Sequence, residues 1–146
     1  MKDIYLHVLL ITASSLHRDR SRKQFQKLNL SEGQPKVLSI LLAMEGCLQK
    51  ELAEECHVKA ATMTSLLQNM EKNDLILKRK DLVSGGKRAY RIFFTEKGRK
   101  MAQKVNDIVG KIEEESFKGF TNEEKEQFLK LFSRVVKNLN GSEKDV

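Results

Sequence analysis

The sequence contains no tryptophan, and only 6% of its 146 residues are aromatic. A folded core must therefore be built mainly from Leu, Ile, Val and Met. No apolar run approaches the ~20 residues that a membrane span requires, so a membrane partner is not expected. The apolar stretch Ile4 to Ile11 is followed by the charged run Leu16 to Lys27 rather than a small-residue cleavage pattern, so a secretory leader is not expected either. The only cysteines are Cys47 and Cys56. Without a secretion signal, free thiols and a cytoplasmic location are the expectation. His7, His17 and His57 are scattered, and no H-x3-H or C-x2-C spacing occurs. A metal site is not expected, short of a zinc assembled across two copies, and no cofactor is called for. Also missing are a glycine-rich phosphate loop after a strand, a nucleophile elbow and an H-E-x-x-H helix, which argues against an enzyme.

What is present is charge and helical periodicity. The formal net charge is +7 and charged residues make up 32% of the chain, against 40% hydrophobic residues. This is a globular composition rather than a disordered one, and its basic balance points to a polyanionic partner. Lys2 to about Lys27 reads as one helix, with Ile4, Val8, Ile11 and Ser15 on a shared face. Ser31-Glu32-Gly33-Gln34 has the form of a capping box, so the next helix should start there, with the sole proline, Pro35, in its first turn. Val37, Leu38, Ile40, Leu41 and Leu42 make that helix largely buried, and Gly46 ends it. Leu48 to His57 and Ala60 to Asn73 read as two short helices joined by the turn His57-Val58-Lys59.

Leu75-Ile76-Leu77 followed by Lys78-Arg79-Lys80 reads as a strand ending in charge, Ser84-Gly85-Gly86 as a hairpin tip, and Ala89 to Thr95 as the return strand. A long helix from Thr95 to about Lys118 carries a narrow seam of Met101, Val105, Ile108 and Ile112. Gly119 breaks it. Thr121-Asn122-Glu123-Glu124 is a second capping box, opening a helix whose seam is Phe128, Leu131, Phe132, Val135 and Leu139, and the last six residues should fray. The order is α-α-α-α-β-β-α-α. This is a mainly α fold with a small β-hairpin, a winged helix-turn-helix between long terminal helices. Long apolar seams at both ends are most simply covered by a second copy related by a two-fold axis.

The pieces LSEGQPKVLSIL, LQKELAEECHVKAATMTSLLQNMEKNDLI and KRAYRIFFTEKG, in this order and spacing, resemble the MarR family of transcriptional regulators over nearly the whole chain. The resemblance implies a homodimer that binds a pseudo-palindromic operator. The helix from Ala60 would lie in the major groove and the Lys80 to Arg88 wing would reach the minor groove or its flanking phosphates. It also implies response to a small-molecule effector bound between the DNA-binding and dimerisation regions. Residues 1–29 are read as a dimerisation helix, 30–98 as the DNA-binding domain and 99–146 as further dimerisation helices. One departure stands out: where the family wing has an acidic residue before its basic pair, this chain has Gly86 before Lys87 and Arg88.

Candidate site residues follow from chemistry. The outer face of the Ala60 to Asn73 helix carries Ala61, Thr62, Thr64, Ser65 and Gln68, where a merely solvated face would carry Lys and Glu. Hydroxyls can bond phosphates or base edges, a glutamine amide can pair with adenine, and methyl groups can meet thymine. The start of that helix also directs backbone N–H groups at phosphate, and Gln49 and Lys59 complete the candidate set. Lys80, Lys87 and Arg88 supply the wing, with Lys78, Arg79 and Arg91 adding charge opposed only by Asp81. The ordinary alternative for these residues is a solvated helix face and a solubilising hairpin. Arg18, Arg20, Arg22, Lys23 and Lys27 form a second basic cluster, read first as a solvated helix end and otherwise as a ligand or phosphate contact. Cys47 and Cys56 read as structural, with a thiol-based redox sensor as the alternative. The expected function is a sequence-specific DNA-binding regulator, a ligand-responsive repressor with double-stranded DNA, a second copy and a small-molecule effector as partners. The alternative is a helical dimer acting as a protein-interaction adaptor.

Overall fold

The structure, a computed structural model, describes residues 5–82 and 88–142. The hairpin tip expected at Ser84 to Gly86 lies outside the described residues, as do Lys87 and the side chain of Arg88. The element order is the expected one: α1 (Leu6–Lys27), α2 (Gln34–Met44), α3 (Gln49–Glu55), α4 (Ala60–Lys72), β1 (Ile76–Leu82), β2 (Arg88–Phe94), α5 (Glu96–Ser116) and α6 (Asn122–Ser142). The chain divides into two compact units, Met1–Ile112 and Glu113–Val146. No helix among the described residues is long and apolar enough to cross a membrane.

Three boundaries differ from expectation. Tyr5 is extended, so the described part of α1 begins at Leu6 and not at Lys2. The box at Ser31 is half formed: the Ser31 N–H donates to Gln34 Oε1 at 3.2 Å, but α2 begins only at Gln34. The reason is Gly33, whose φ of +90° takes the backbone out of the helical region one residue before α2 starts. α6 also runs further than expected, through Gly141 and Ser142.

Three helices of the first unit end without glycine. Asn29, His57 and Asp74 have φ of +59°, +54° and +60°, and each closes a Schellman turn. After α3, for example, the Val58 N–H donates to Ala53 O and the His57 N–H to Glu54 O, both at 3.1 Å. Each turn then delivers a hydrophobic residue, Leu30, Val58 or Leu75, against the core.

That core sits between α2, α3, α4, the base of the hairpin and the first half of α5. Val37, Leu38, Leu41, Leu52, Met63, Leu67, Met70, Ile76, Ile92 and Val105 are all essentially inaccessible to solvent. Each such side chain contributes roughly 1.5–3 kcal/mol relative to exposure. The one large buried polar side chain among the described residues, Gln34, is satisfied: it accepts from Ser31 N–H and donates to Asn69 Oδ1 of α4 at 2.7 Å.

α4 is also fastened at its far end. Thr95 Oγ1 donates to Asp74 O at 2.6 Å, the Thr95 N–H to Leu75 O at 3.1 Å, and Lys97 Nζ to Asn73 O at 3.1 Å. Thr95 Oγ1 in turn accepts from the Gly98 N–H at 2.9 Å, capping α5. A Cβ at Gly98 would fall 1.7 Å from Leu75 O, so only glycine allows the first turn of α5 to lie this close to the chain leaving α4.

In the second unit, the capping box at Thr121 is complete. The Thr121 N–H donates to Glu124 Oε1 at 2.9 Å and the Glu124 N–H to Thr121 Oγ1 at 3.1 Å. Phe117, Phe120, Phe128 and Phe132 form an aromatic cluster, with Phe128 stacked on Phe132 at 5.6 Å and the other pairs edge-on. Three residues of the α6 seam nonetheless remain exposed, while Phe132 and Val135 are half-buried. Phe128 is 46% exposed, Leu131 48% and Leu139 60%.

Candidate nucleic-acid interface

α4 is amphipathic at helical spacing. Met63, Leu67 and Met70 point into the core, which turns Ala61, Thr62, Thr64, Ser65 and Gln68 to solvent. Lys59 precedes the helix in extended conformation and is exposed. Thr64 is engaged from two sides: its hydroxyl donates to Ala60 O and accepts from Gln49 Nε2, both at 3.0 Å. Gln49 in α3 is thereby held by Thr64 of α4. Thr64 keeps less hydrogen-bonding capacity for a partner than its exposure suggests.

β1 and β2 pair antiparallel in the register Ile76–Phe94 through Leu82–Arg88. Strand parity puts Ile76, Lys78 and Lys80 on the face shared with Phe94, Ile92 and Tyr90. Ile76, Ile92 and Phe94 are buried, so the same face carries Lys78, Lys80 and Tyr90 outward beside the helices. There they line a cleft of about 710 Å³ together with Gln49, Lys50, Thr64 and Gln68. Four of the expected site residues, Gln49, Thr64, Gln68 and Lys80, thus meet around one concavity. Ala61, Thr62, Ser65 and Lys59 are exposed but do not line it. Lys50 and Tyr90 were not among the expected residues. Parity with Lys78 and Lys80 was the available signal for Tyr90, whose ring lies 5.8 Å from Lys78 Nζ.

The wing cations are not equivalent. Arg79 lies over the Phe93 ring at 4.8 Å. Arg91 Nε donates to Asp81 Oδ2 at 2.5 Å, and its Nη1 to Gly46 O at 3.0 Å. The Arg91 hydrogen bond holds the exposed Asp81 carboxyl below its ordinary range, helped by the Leu82 N–H. Of the cations expected to face a partner, Arg79 and Arg91 are turned onto the protein itself.

Glu45 occupies the end of α2. Burial pushes its carboxyl up, but hydrogen bonds from Arg99 at 2.5 Å and from the Phe94 N–H at 2.8 Å outweigh this, and its pKa is lowered. The base of the wing, the end of α2 and the start of α5 meet at this one side chain.

Cys56 is buried and Cys47 half-buried. Burial pushes both thiols up, with Glu51 adding to the effect at Cys47. That is the reverse of the activation a sensor thiol needs. Among the described residues, no group of three or more His, Cys, Asp or Glu is placed to hold a metal ion. The basic cluster of α1 is exposed, and only Arg18 and Arg22 of it line a second cleft of about 660 Å³, formed with His17, Phe25 and Lys36 against the start of α2.

A helix-turn-helix whose second helix presents a small, polar face beside a basic two-stranded wing defines the winged-helix class of transcriptional regulators. The sequence model of the MarR family matches residues 30–84. The uncharacterized HTH-type transcriptional regulator YybA of Bacillus subtilis is 32% identical over 119 residues, covering 82% of this chain and 78% of the relative. YwoH of the same organism, another uncharacterized HTH-type regulator, is 28% identical over 113 residues, 77% of this chain and 80% of its own. A Listeria monocytogenes protein assigned to the MarR family and crystallised with a 26mer DNA superposes with a TM-score of 0.83 at 27% identity, over 97% of this chain and 92% of that one. The crystal structure of MarR itself gives 0.81 at 25% identity, over 100% and 98%. The chain belongs to the MarR family of transcriptional regulators.

Proposed function

We propose that this regulator is a cytoplasmic repressor that binds a pseudo-palindromic operator as a homodimer and releases it when a small molecule binds. The observation that carries this reading is the single surface formed by the outward face of α4 and the cleft it shares with Lys50, Lys78, Lys80 and Tyr90. A helix presenting Ala61, Thr62, Ser65 and Gln68 fits a major groove, where amide, hydroxyl and methyl groups read base edges. Cations beside it meet the phosphates that bound the groove. Lys87 and Arg88 would then meet the adjacent minor groove or its flanking phosphates, where arginine suits a narrow, electronegative channel.

The exposed apolar residues of α1 and α6 support the dimer, with residues 1–29 and 99–146 as its contact regions and 30–98 as the DNA-binding domain. Two copies of α4 would then enter successive major grooves about 34 Å apart. The cleft between α1 and α2, lined by Arg18, Arg22 and Lys36, is the candidate effector site. The Listeria neighbour, solved with DNA, lends support by analogy.

The test is a gel shift on promoter DNA from the protein's own gene neighbourhood, with scrambled duplex as competitor. Saturable, sequence-dependent binding with steep salt dependence is expected. Arg88→Ala should weaken operator binding by about 1–3 kcal/mol. Binding that is only weak, salt-labile and indifferent to sequence would reject the reading in favour of an adaptor.

A further inference from the structure

The wing has one acidic residue among its described cations, and that residue is bonded at both oxygens. Asp81 Oδ1 accepts from the Leu82 N–H at 2.8 Å, and Oδ2 accepts from Arg91 Nε at 2.5 Å. In register, Asp81 faces Ala89 and Arg91 faces Arg79, so the ion pair runs diagonally across the hairpin. It also compensates one of two arginines that sit opposite each other in register.

Arg91 does not stop at the hairpin. Its Nη1 donates to Gly46 O, in the turn that leads into α3. The backbone follows the same route: the Gly46 N–H donates to Ile92 O at 2.8 Å, and the Ile92 N–H to Cys47 O at 3.0 Å. Leu48 bridges antiparallel to Arg91. The outer edge of β2 is thus paired with residues 46–48, and its inner edge with β1. One guanidinium ties all three segments, joining the wing to the first helix of the helix-turn-helix. Gly46 allows this close approach. Its φ is +89°, and a Cβ there would meet the Phe93 ring at 3.3 Å.

We propose that Asp81 and Arg91 form a clamp that aims the wing relative to α3 and α4, making them positioning residues for operator recognition rather than DNA contacts. The inference rests on the operator reading above. A hairpin held only by its two-stranded ladder would pivot about its base. With Arg91 bonded on both sides, the strands that carry Lys80 and Arg88 keep a fixed direction over the cleft. Lysine could not replace Arg91, because one ammonium lacks the planar fork that reaches carboxylate and carbonyl together.

The clamp makes a prediction of unusual sign. Asp81 is an anion on a surface that meets phosphate. As a mere surface charge, its removal would raise affinity for every duplex. As half of a clamp, its removal lowers operator affinity while leaving nonspecific affinity unchanged or raised. The experiment titrates wild type, Asp81→Ala, Asp81→Glu and Arg91→Lys against operator and scrambled duplex at matched salt. Asp81→Ala and Arg91→Lys should bind operator about tenfold more weakly. Footprinting should show that this loss is confined to minor-groove positions, with the major-groove protection intact, and Asp81→Glu should recover most of it. Equal or tighter operator binding by Asp81→Ala overturns the proposal.

Wild type measured alongside separates the two ideas, since failure of wild type to prefer any operator rejects the function and not the clamp. In that case the Arg91 Nε–H resonance in the free protein decides. Persistence in wild type and Asp81→Glu with loss in Asp81→Ala supports the clamp, and an exchange-broadened signal in wild type rejects it.

Discussion

The middle of this chain and its terminal helices use similar residues to opposite effect. Between Leu30 and Val105, apolar side chains from α2 to α5 close over one another, and many are fully buried. α1 and α6 are as long as or longer than any element of that middle, yet α1 buries only Ser21 and α6 buries none of its described residues. Most of their Leu, Val and Ile side chains are exposed instead, and Phe25, Phe132 and Val135 are only half-buried. The lesson is that apolar periodicity alone does not say where a hydrophobic face finds its cover. The middle covers itself, while the ends leave apolar surface exposed.

Substitutions can break that contrast. The largest effect is expected at Gly98→Ala, where the added Cβ would collide with the Leu75 carbonyl and force α5 off the end of α4. A loss of about 3 kcal/mol or more is expected, read as a fall in urea midpoint that does not depend on protein concentration. A loss under about 1 kcal/mol would mean that the middle is less closely fitted than the geometry shows. Next is Leu131→Glu on the open face of α6. It should leave a folded chain but weaken self-association by about 2–3 kcal/mol, the scale of placing a carboxylate in an apolar interface. Sedimentation velocity reads this directly, and an unchanged dimer would place the α6 seam outside the contact.

Thr121→Ala should cost about 1 kcal/mol by removing the hydroxyl half of a complete capping box. The smallest effect is at Glu45, whose folded-state pKa lies below its ordinary value of 4.5. Its ionised form therefore adds stability above the unfolded-state pKa, and this is lost as pH falls through the lower folded value. The stability difference between wild type and Glu45→Gln should shrink on acidification below about pH 4.5. A difference that grew instead would mean that the Arg99 and Phe94 bonds do not favour the carboxylate.

Much of this was legible in the sequence, for identifiable reasons. The eight elements appear in the expected order because period and turn residues are local signals. The Thr121 box formed as read, while the Ser31 box formed only half, because a left-handed Gly33 stood inside it. The ends of α1, α3 and α4 use Asn29, His57 and Asp74 in left-handed geometry, and no glycine advertised them. In the site, the polar outward face of α4 was readable from composition. Arg91 was not, because a wing arginine looks like a partner contact until Gly46, 45 residues earlier, turns out to accept its second bond. Lys50 and Tyr90 join the cleft through the same long-range pairing of β2 with residues 46–48. The departure at Gly86 falls outside the described residues, but the acid at Asp81 gives the wing a carboxylate tether elsewhere.

The joint at Thr95 and Gly98 has a mechanical consequence. Three carbonyls at the end of α4 are bonded to the first residues of α5, and no side chain cushions their approach. α5 has 21 residues, and at 1.5 Å per residue it is a rod about 31 Å long. A tilt of about 5° of such a rod about its first turn would displace its far end by about 3 Å and load the bonds that Thr95 and Lys97 make to the end of α4. The joint thus makes a lever of α5, with α4 on its short arm.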